Sequence, residues 1–197
     1  MNADDENRGF SEKPVRAPQG PVVDEHGNLS FPAGSPSGTV PVEDPEDGRD
    51  PSLGDARSRA RHASVEDSTI TVKAMTEYVN DPRCGAVVTF DGLVRDHDEG
   101  RGVERLEYTS HPSAGEVMEQ VVFEIAERFP DVIVAASHRV GPLEIGDPAL
   151  VAAVAAPHRK RAFEACDFLV DTVKKRVPIW KDQHFDDGTH EWVAAIG

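Results

Sequence analysis

From residue 66 to its end this chain alternates short apolar runs of strand length with amphipathic helical stripes, and that alternation most narrows its fold. CGAVVTF (84–90), DVIVAASHRV (131–140) and PALVAAVAA (148–156) are the apolar runs, and VERLEYT (103–109) reads as a strand returning from the polar, Gly-bearing loop DGLVRDHDEGRG (91–102). STITV (68–72), with its alternate β-branched residues, predicts one more short strand, and KAMTEYVND (73–81) makes about two helical turns before Pro82. Pro112 opens a helix whose apolar face is Val117, Val121, Ile125 and Phe129. Pro157 opens a second, with a core-facing stripe of Ala162, Phe163, Cys166, Leu169, Val170 and Val173 that runs to about Lys175. After Pro178 the chain is extended, turns at DDG (186–188) and returns as EWVAAIG. That closing hairpin and the short loops favour a mixed or antiparallel sheet, so the expected class is α+β, a single domain without internal repeats.

Residues 1–65 differ. They hold 7 Gly, 8 Pro and 7 Ser, and their large apolar residues (Phe10, Val22, Val23, Leu29, Phe31, Leu53) show no period. Such a segment cannot bury enough apolar surface to offset its chain entropy, so 1–65 is expected to be a mostly disordered acidic extension and 66–197 the domain. The start, MNADDENRGF, has neither the basic nor the apolar region of a secretory signal, and there is no run of 18 apolar residues to cross a membrane. A cytoplasmic protein is expected.

The formal net charge is -15, of which residues 66–197 carry -10. That balance argues against nucleic acid or an anionic membrane as partner. An anionic ligand would need a local cationic pocket working against the global field, and four stretches offer bases. In VKKRVPIWKDQ (173–183), Lys174, Lys175 and Arg176 end a helix, where cations complement the macrodipole without further function. Lys181 lies beyond the proline on an extended segment, and at a period of two it shares a face with Ile179, Gln183 and Phe185, as a lysine at an edge or lining a cleft would. In PHRKR (157–161), His158 and Arg159 stand in the first turn of a helix, where cations are mildly unfavourable; a bound phosphate or carboxylate would account for them, and a solvated turn is the plain alternative. Arg95 follows Val94 in the loop after the strand ending at Phe90. Arg139 is expected to pair with a carboxylate.

Other constellations are weaker. Asp96, His97, Asp98 and Glu99 resemble metal ligands in composition, but consecutive residues on one loop rarely converge on an ion, so a solvated loop is expected and no metal site. Cys84 and Cys166 form no CxxC pair; one begins a buried-type strand and the other lies on an apolar helix stripe, so both read as core thiols.

GAVVTFDGLVRDHDEGRGVERLEY and HRVGPLEIGDPALVAAVAAPHRKRAFEACDFLVDTVKKRVPIWKDQ together resemble the catalytic (large) subunit family of molybdopterin synthase. The VRDH loop, the PHR-x-x-AFEA helix start and the K-x-R-x-P-I-W-K run fall in the family's order, and the resemblance covers about residue 68 to the end. It implies a hammerhead-type α+β fold and a homodimer within a heterotetramer. A small ubiquitin-like sulfur-carrier subunit would dock at each end, its C-terminal Gly-Gly thiocarboxylate entering a pocket of this chain. The implied activity is that of a sulfurtransferase: sulfur passes to cyclic pyranopterin monophosphate, and two transfers build the molybdopterin dithiolene, with no cofactor or metal on this chain. Carried over by position, the substrate contacts fall on Leu93, Val94, Arg95, His158, Arg159, Lys174, Lys181, Asp182 and Gln183, with Lys174 and Lys181 catalytic. In that family the pocket can draw on both protomers, so the resemblance leaves His158 and Arg159 to serve either their own or the neighbouring protomer's site. Two departures stand out: Gln183 replaces a common Glu, and TSHPSAGEV places His111 and Ala114 where Tyr and Met are common.

The implied chemistry agrees with the charge pattern, because substrate phosphate and thiocarboxylate are both anions whose repulsion a shared site must cancel. Arginine forks suit phosphate, and a lysine can donate a proton or, when neutral, act as base or transient nucleophile. The alternatives are a phosphate-ligand binding module without catalysis and a cysteine-dependent hydrolase.

Overall fold

The computed structural model describes residues 22–23, 29–30, 53–98 and 100–194. The chain divides into two units, 1–44 and 45–197. In the first, β1 (Val22–Val23) and β2 (Leu29–Ser30) pair antiparallel. The rest of the predicted disordered extension up to residue 52 lies outside the described residues.

The second unit runs α1 (Ala56–Arg59), β3 (Ala60–Glu66), α2 (Val72–Val79), β4 (Ala86–Leu93), β5 (His97–Asp98), β6 (Arg101–Ser110), α3 (Ala114–Arg128), β7 (Ile133–Arg139), β8 (Gly141–Leu143), β9 (Pro148–Ala156), α4 (Arg159–Arg176), β10 (Ile179–Phe185) and β11 (His190–Ala194). Two sheets result. One has the order β3-β7-β9-β4, parallel between β3 and β7 and antiparallel elsewhere; the other has the order β11-β10-β6-β5, with β8 also on β6. The α+β class with a mixed sheet and flanking helices is as expected.

The strands β7 and β9 are buried along almost their whole length, because helices cover both faces of their sheet. One face, with Val134, Ala136, Ala152 and Val154, packs against Met118, Val121 and Ile125 of α3 and Ala162, Cys166 and Leu169 of α4. The other face, with Ile133, Ala135, Val151 and Ala153, packs against Met75 and Val79 of α2, together with Leu53 and Ile70. The alternation of side chains along a strand therefore divides these apolar residues between two cores.

Three expectations are corrected. Residues 53–65 are folded: Leu53 is buried, β3 pairs with β7, and the buried Arg59 guanidinium donates to the carbonyls of Ala126, Phe129 and Val132, closing the C-terminal end of α3. The segment shows no apolar period because β3 is a half-buried edge strand whose His62, Ser64 and Glu66 hydrogen-bond in a chain. Residues 68–71 form no strand; instead Thr71 caps α2, its side chain accepting from the Ala74 amide at 3.2 Å. Phe163 is 62% exposed, since it sits about 100° round the helix from Ala162, which faces the sheet.

Candidate active site

A pocket of about 510 Å³ opens where the two sheets meet. The end of β4 contributes Phe90, Gly92 and Leu93, and the loop beyond it contributes Val94 and Arg95. Gly92 is needed there: a Cβ would come within 2.8 Å of the Phe90 ring and 3.3 Å of the Leu150 carbonyl. The strands β6, β7 and β10 add Tyr108, His138, Lys181 and Gln183, and α4 ends at the pocket with Lys174. Val94, Leu106, Leu143 and Ala149 form a small apolar cluster with Tyr108 that supports this wall.

Six of the nine sequence-predicted residues line this pocket: Leu93, Val94, Arg95, Lys174, Lys181 and Gln183. The other three do not. Asp182 points to the opposite face of β10, as strand alternation requires, where its carboxylate lies 3.1 Å from His184 Nε2 and 3.3 Å from His190 Nδ1. His158 and Arg159 are exposed at the start of α4. Arg159 and Lys174 are 15 positions apart on one helix, about 22 Å at 1.5 Å per residue, so the two ends cannot share a ligand on one protomer.

The cations of 174–176 separate in the structure. Lys175 pairs with Asp171 at 3.0 Å and Arg176 with Glu124, both at the helix surface. Lys174 has no carboxylate partner among the described residues; its ammonium lies 5.6 Å from the centroid of the Phe90 ring. Arg139 pairs with Asp147 at 3.0 Å, as expected.

Three residues that sequence reasoning passes over belong to the site. Asp98, read there as part of a solvated loop, is the pocket's carboxylate and bonds Lys181, Gln183 and Arg95. Those hydrogen bonds, led by that of Gln183, hold its carboxyl below the usual range. His138 is 7% exposed, and burial lowers its imidazole to about 4, so it is neutral at pH 7. Its Nδ1 donates to the Arg139 carbonyl at 2.8 Å, which leaves Nε2 as an acceptor. Tyr108 meets the His138 ring edge-on at 5.0 Å; burial, then the charge of Asp98, raises its phenol, which stays protonated. Among the described residues, three basic side chains and one carboxylate thus line a pocket in a chain of net charge -15.

Neither cysteine lines the pocket. Cys166 is buried between α4 and the sheet, and burial pushes its thiol up to about 11, away from nucleophilic use. Among the described residues no three His, Cys, Asp or Glu side chains are grouped to hold a metal ion, and no helix is long and apolar enough to cross a membrane.

A family model described as MoaE protein matches residues 65–176. The molybdopterin synthase catalytic subunit of Halalkalibacterium halodurans is 38% identical over 135 residues, spanning 68% of this chain and 86% of that one. The catalytic subunit from Staphylococcus carnosus is 42% identical over 118 residues, 59% of this chain and 78% of its own. The crystal structure of molybdopterin synthase from Staphylococcus aureus superposes with a TM-score of 0.63 at 36% identity, over 66% of this chain and 96% of that one.

Proposed function

Because this chain belongs to the MoaE protein family, we propose that it is the catalytic subunit of a molybdopterin synthase. It takes sulfur from the C-terminal thiocarboxylate of a small carrier subunit and delivers it to cyclic pyranopterin monophosphate. The observation that carries this reading is the convergence of Arg95, Lys174 and Lys181, from three separate segments, on one pocket. Both reactants are anionic, and bringing them together in water would meet their mutual repulsion. Three fixed cations cancel that repulsion before the reactants arrive, so little reorganisation remains at the moment of reaction.

Within the pocket the roles divide by chemistry. Arg95 is the most exposed of the pocket's paired bases, its side chain 66% accessible, and its planar fork suits the substrate phosphate. Lys174 is uncommitted to any carboxylate among the described residues and is placed to meet an incoming anion. Lys181, four-fifths shielded from water, is the proton donor to the reacting centre. Neutral His138 and protonated Tyr108 supply a hydrogen-bond acceptor and donor without adding charge. Sulfur comes from the carrier, so neither cysteine takes part and no cofactor or metal is required of this chain.

Two copies form the working unit, in which His158 and Arg159 of each protomer complete the other's pocket, and a carrier subunit docks on each copy in a cytoplasmic heterotetramer. The test is reconstitution: the purified chain, a thiocarboxylated carrier and cyclic pyranopterin monophosphate are mixed and molybdopterin is followed by mass. The parent chain is expected to form product, and Lys181→Ala to fold normally and form none. Near-normal product from that variant would sink the assignment, and phosphate-ligand binding with no turnover by the parent would mark a binding module instead.

A further inference from the structure

Asp98 is the one carboxylate among the described residues that line the cationic pocket, and three candidate residues bond to it. Its Oδ2 accepts from Lys181 Nζ at 3.0 Å and from Gln183 Nε2 at 2.7 Å, while Oδ1 accepts from Arg95 Nη2 at 3.1 Å. The arrangement follows from the backbone. Lys181 and Gln183 are two apart on β10 and share a face. The short strand β5 pairs with the start of β6, Asp98 opposite Arg101, and so lays its carboxylate across that face.

The environment makes these bonds directional. The Asp98 and Lys181 side chains are only 22% and 20% exposed, and Gln183 is 2% exposed. Charge-assisted bonds so shielded hold their geometry better than a surface pair, and a buried amide that lost its acceptor would be left unsatisfied. Among the described residues that line the pocket, Asp98 is the one carboxylate, so without it none of the others could accept from the Lys181 ammonium as an anion.

We infer that Asp98 is a positioning residue for sulfur transfer: anchored by Gln183, its carboxylate aims the Lys181 ammonium at the reacting centre. This rests on the functional reading above. The unit that matters is the Asp98–Gln183 pair, one member charged beside Lys181 and the other neutral and hydrogen-bonded to it. Carboxylate and carboxamide are close in size and shape, so the two can exchange places. Asp98→Asn with Gln183→Glu keeps a carboxylate within reach of Lys181 and keeps one N–H to oxygen bond between the two positions, run in the opposite direction.

The experiment compares the parent, Asp98→Asn and the double exchange in complex with the carrier. Loss of aim should lower kcat about tenfold or more in Asp98→Asn and leave KM for the pterin within about threefold. The double exchange is expected to recover most of the lost kcat. Equal loss in the single and double variants, with both melting near the parent, would overturn the inference, as would full activity of Asp98→Asn. A second readout needs no turnover. The Gln183 carboxamide protons, identified by their loss in Gln183→Glu, are expected to exchange slowly in the parent and measurably faster in Asp98→Ala; no change there would also overturn it. A parent chain that shows this signature yet forms no molybdopterin would defeat the functional reading and leave the Asp98–Gln183–Lys181 arrangement standing.

Discussion

The two ends of α4 are both rich in bases, yet the fold treats them differently. At the C-terminal end Lys174 reaches the pocket that Lys181 and Arg95 also line, while Lys175 and Arg176 are matched by Asp171 and Glu124. At the N-terminal end Arg161 is matched by Asp131 and Glu164, and His158 and Arg159 stand exposed, outside the pocket that Lys174 lines. A helix C-terminus tolerates cations on its own account, whereas its N-terminus does not. The difference is between a pocket assembled on a single chain and a helix start whose exposed bases are left for an arriving anion or a second copy to meet, if one does.

The largest expected effect breaks or keeps that contrast. Arg159→Ala should lower sulfur transfer about tenfold or more, through the loss of a bidentate phosphate contact. In a two-fold dimer with composite sites, each mixed pair of Arg159→Ala and Lys181→Ala chains has one intact site, so random mixing should restore about a quarter of the parent activity. Mixing the two impaired preparations, with exchange of subunits checked by native mass spectrometry, is the measurement. No recovery despite exchange would place both residues in one protomer's site or Arg159 outside the chemistry.

A smaller effect sharpens the account of the assembled end. His138 is neutral in the fold and its imidazole sits at about 4 against an ordinary 6.5. As pH falls below about 6.5 the unfolded chain takes a proton that the folded one refuses, so this contribution is complete above 6.5 and is lost toward pH 4. The difference amounts to at most about 3 kcal/mol. Melting temperatures from pH 7 to 4.5 should therefore fall less steeply for His138→Gln than for the parent. Parallel curves would show that His138 is already accessible to protons in the fold.

Much of this is legible in the amino-acid order, for reasons that also explain the failures. PALVAAVAA has the bounds of β9 because an uninterrupted apolar run in a two-sided sheet needs no partner to announce itself. β3 escapes such a reading because a half-buried edge strand holds its place with His62, Ser64 and Glu66, residues that also compose loops. Strand alternation places Lys181 and Gln183 together, and the same rule, applied strictly, sends Asp182 to the other face. Asp98 cannot be found so: four successive polar residues look solvated, and it takes the short β5–β6 pairing to turn Asp98 inward. Local periodicity sees one element at a time, and convergence is a property of several.

The smallest effect, that of Lys175→Ala, is the most discriminating, because it is set against a neighbour in sequence. Lys175→Ala removes an i,i+4 pair with Asp171 in which both side chains are about three-fifths exposed. Screened pairs of this kind contribute about 0.5 kcal/mol or less, and the ammonium does not line the pocket, so stability should barely change and sulfur transfer should stay near the parent rate. Lys174→Ala loses no ion pair among the described residues, so its melting temperature should change as little. Its sulfur transfer, however, should drop about tenfold or more, since one of three cations that offset the charge of the reactants is gone. Side-by-side melting curves and product assays decide between the two readings of this helix end. If both variants lost activity equally, positive charge in general would suffice there. If only Lys174→Ala does, the direction in which the fold points each lysine separates a helix terminator from a catalytic residue.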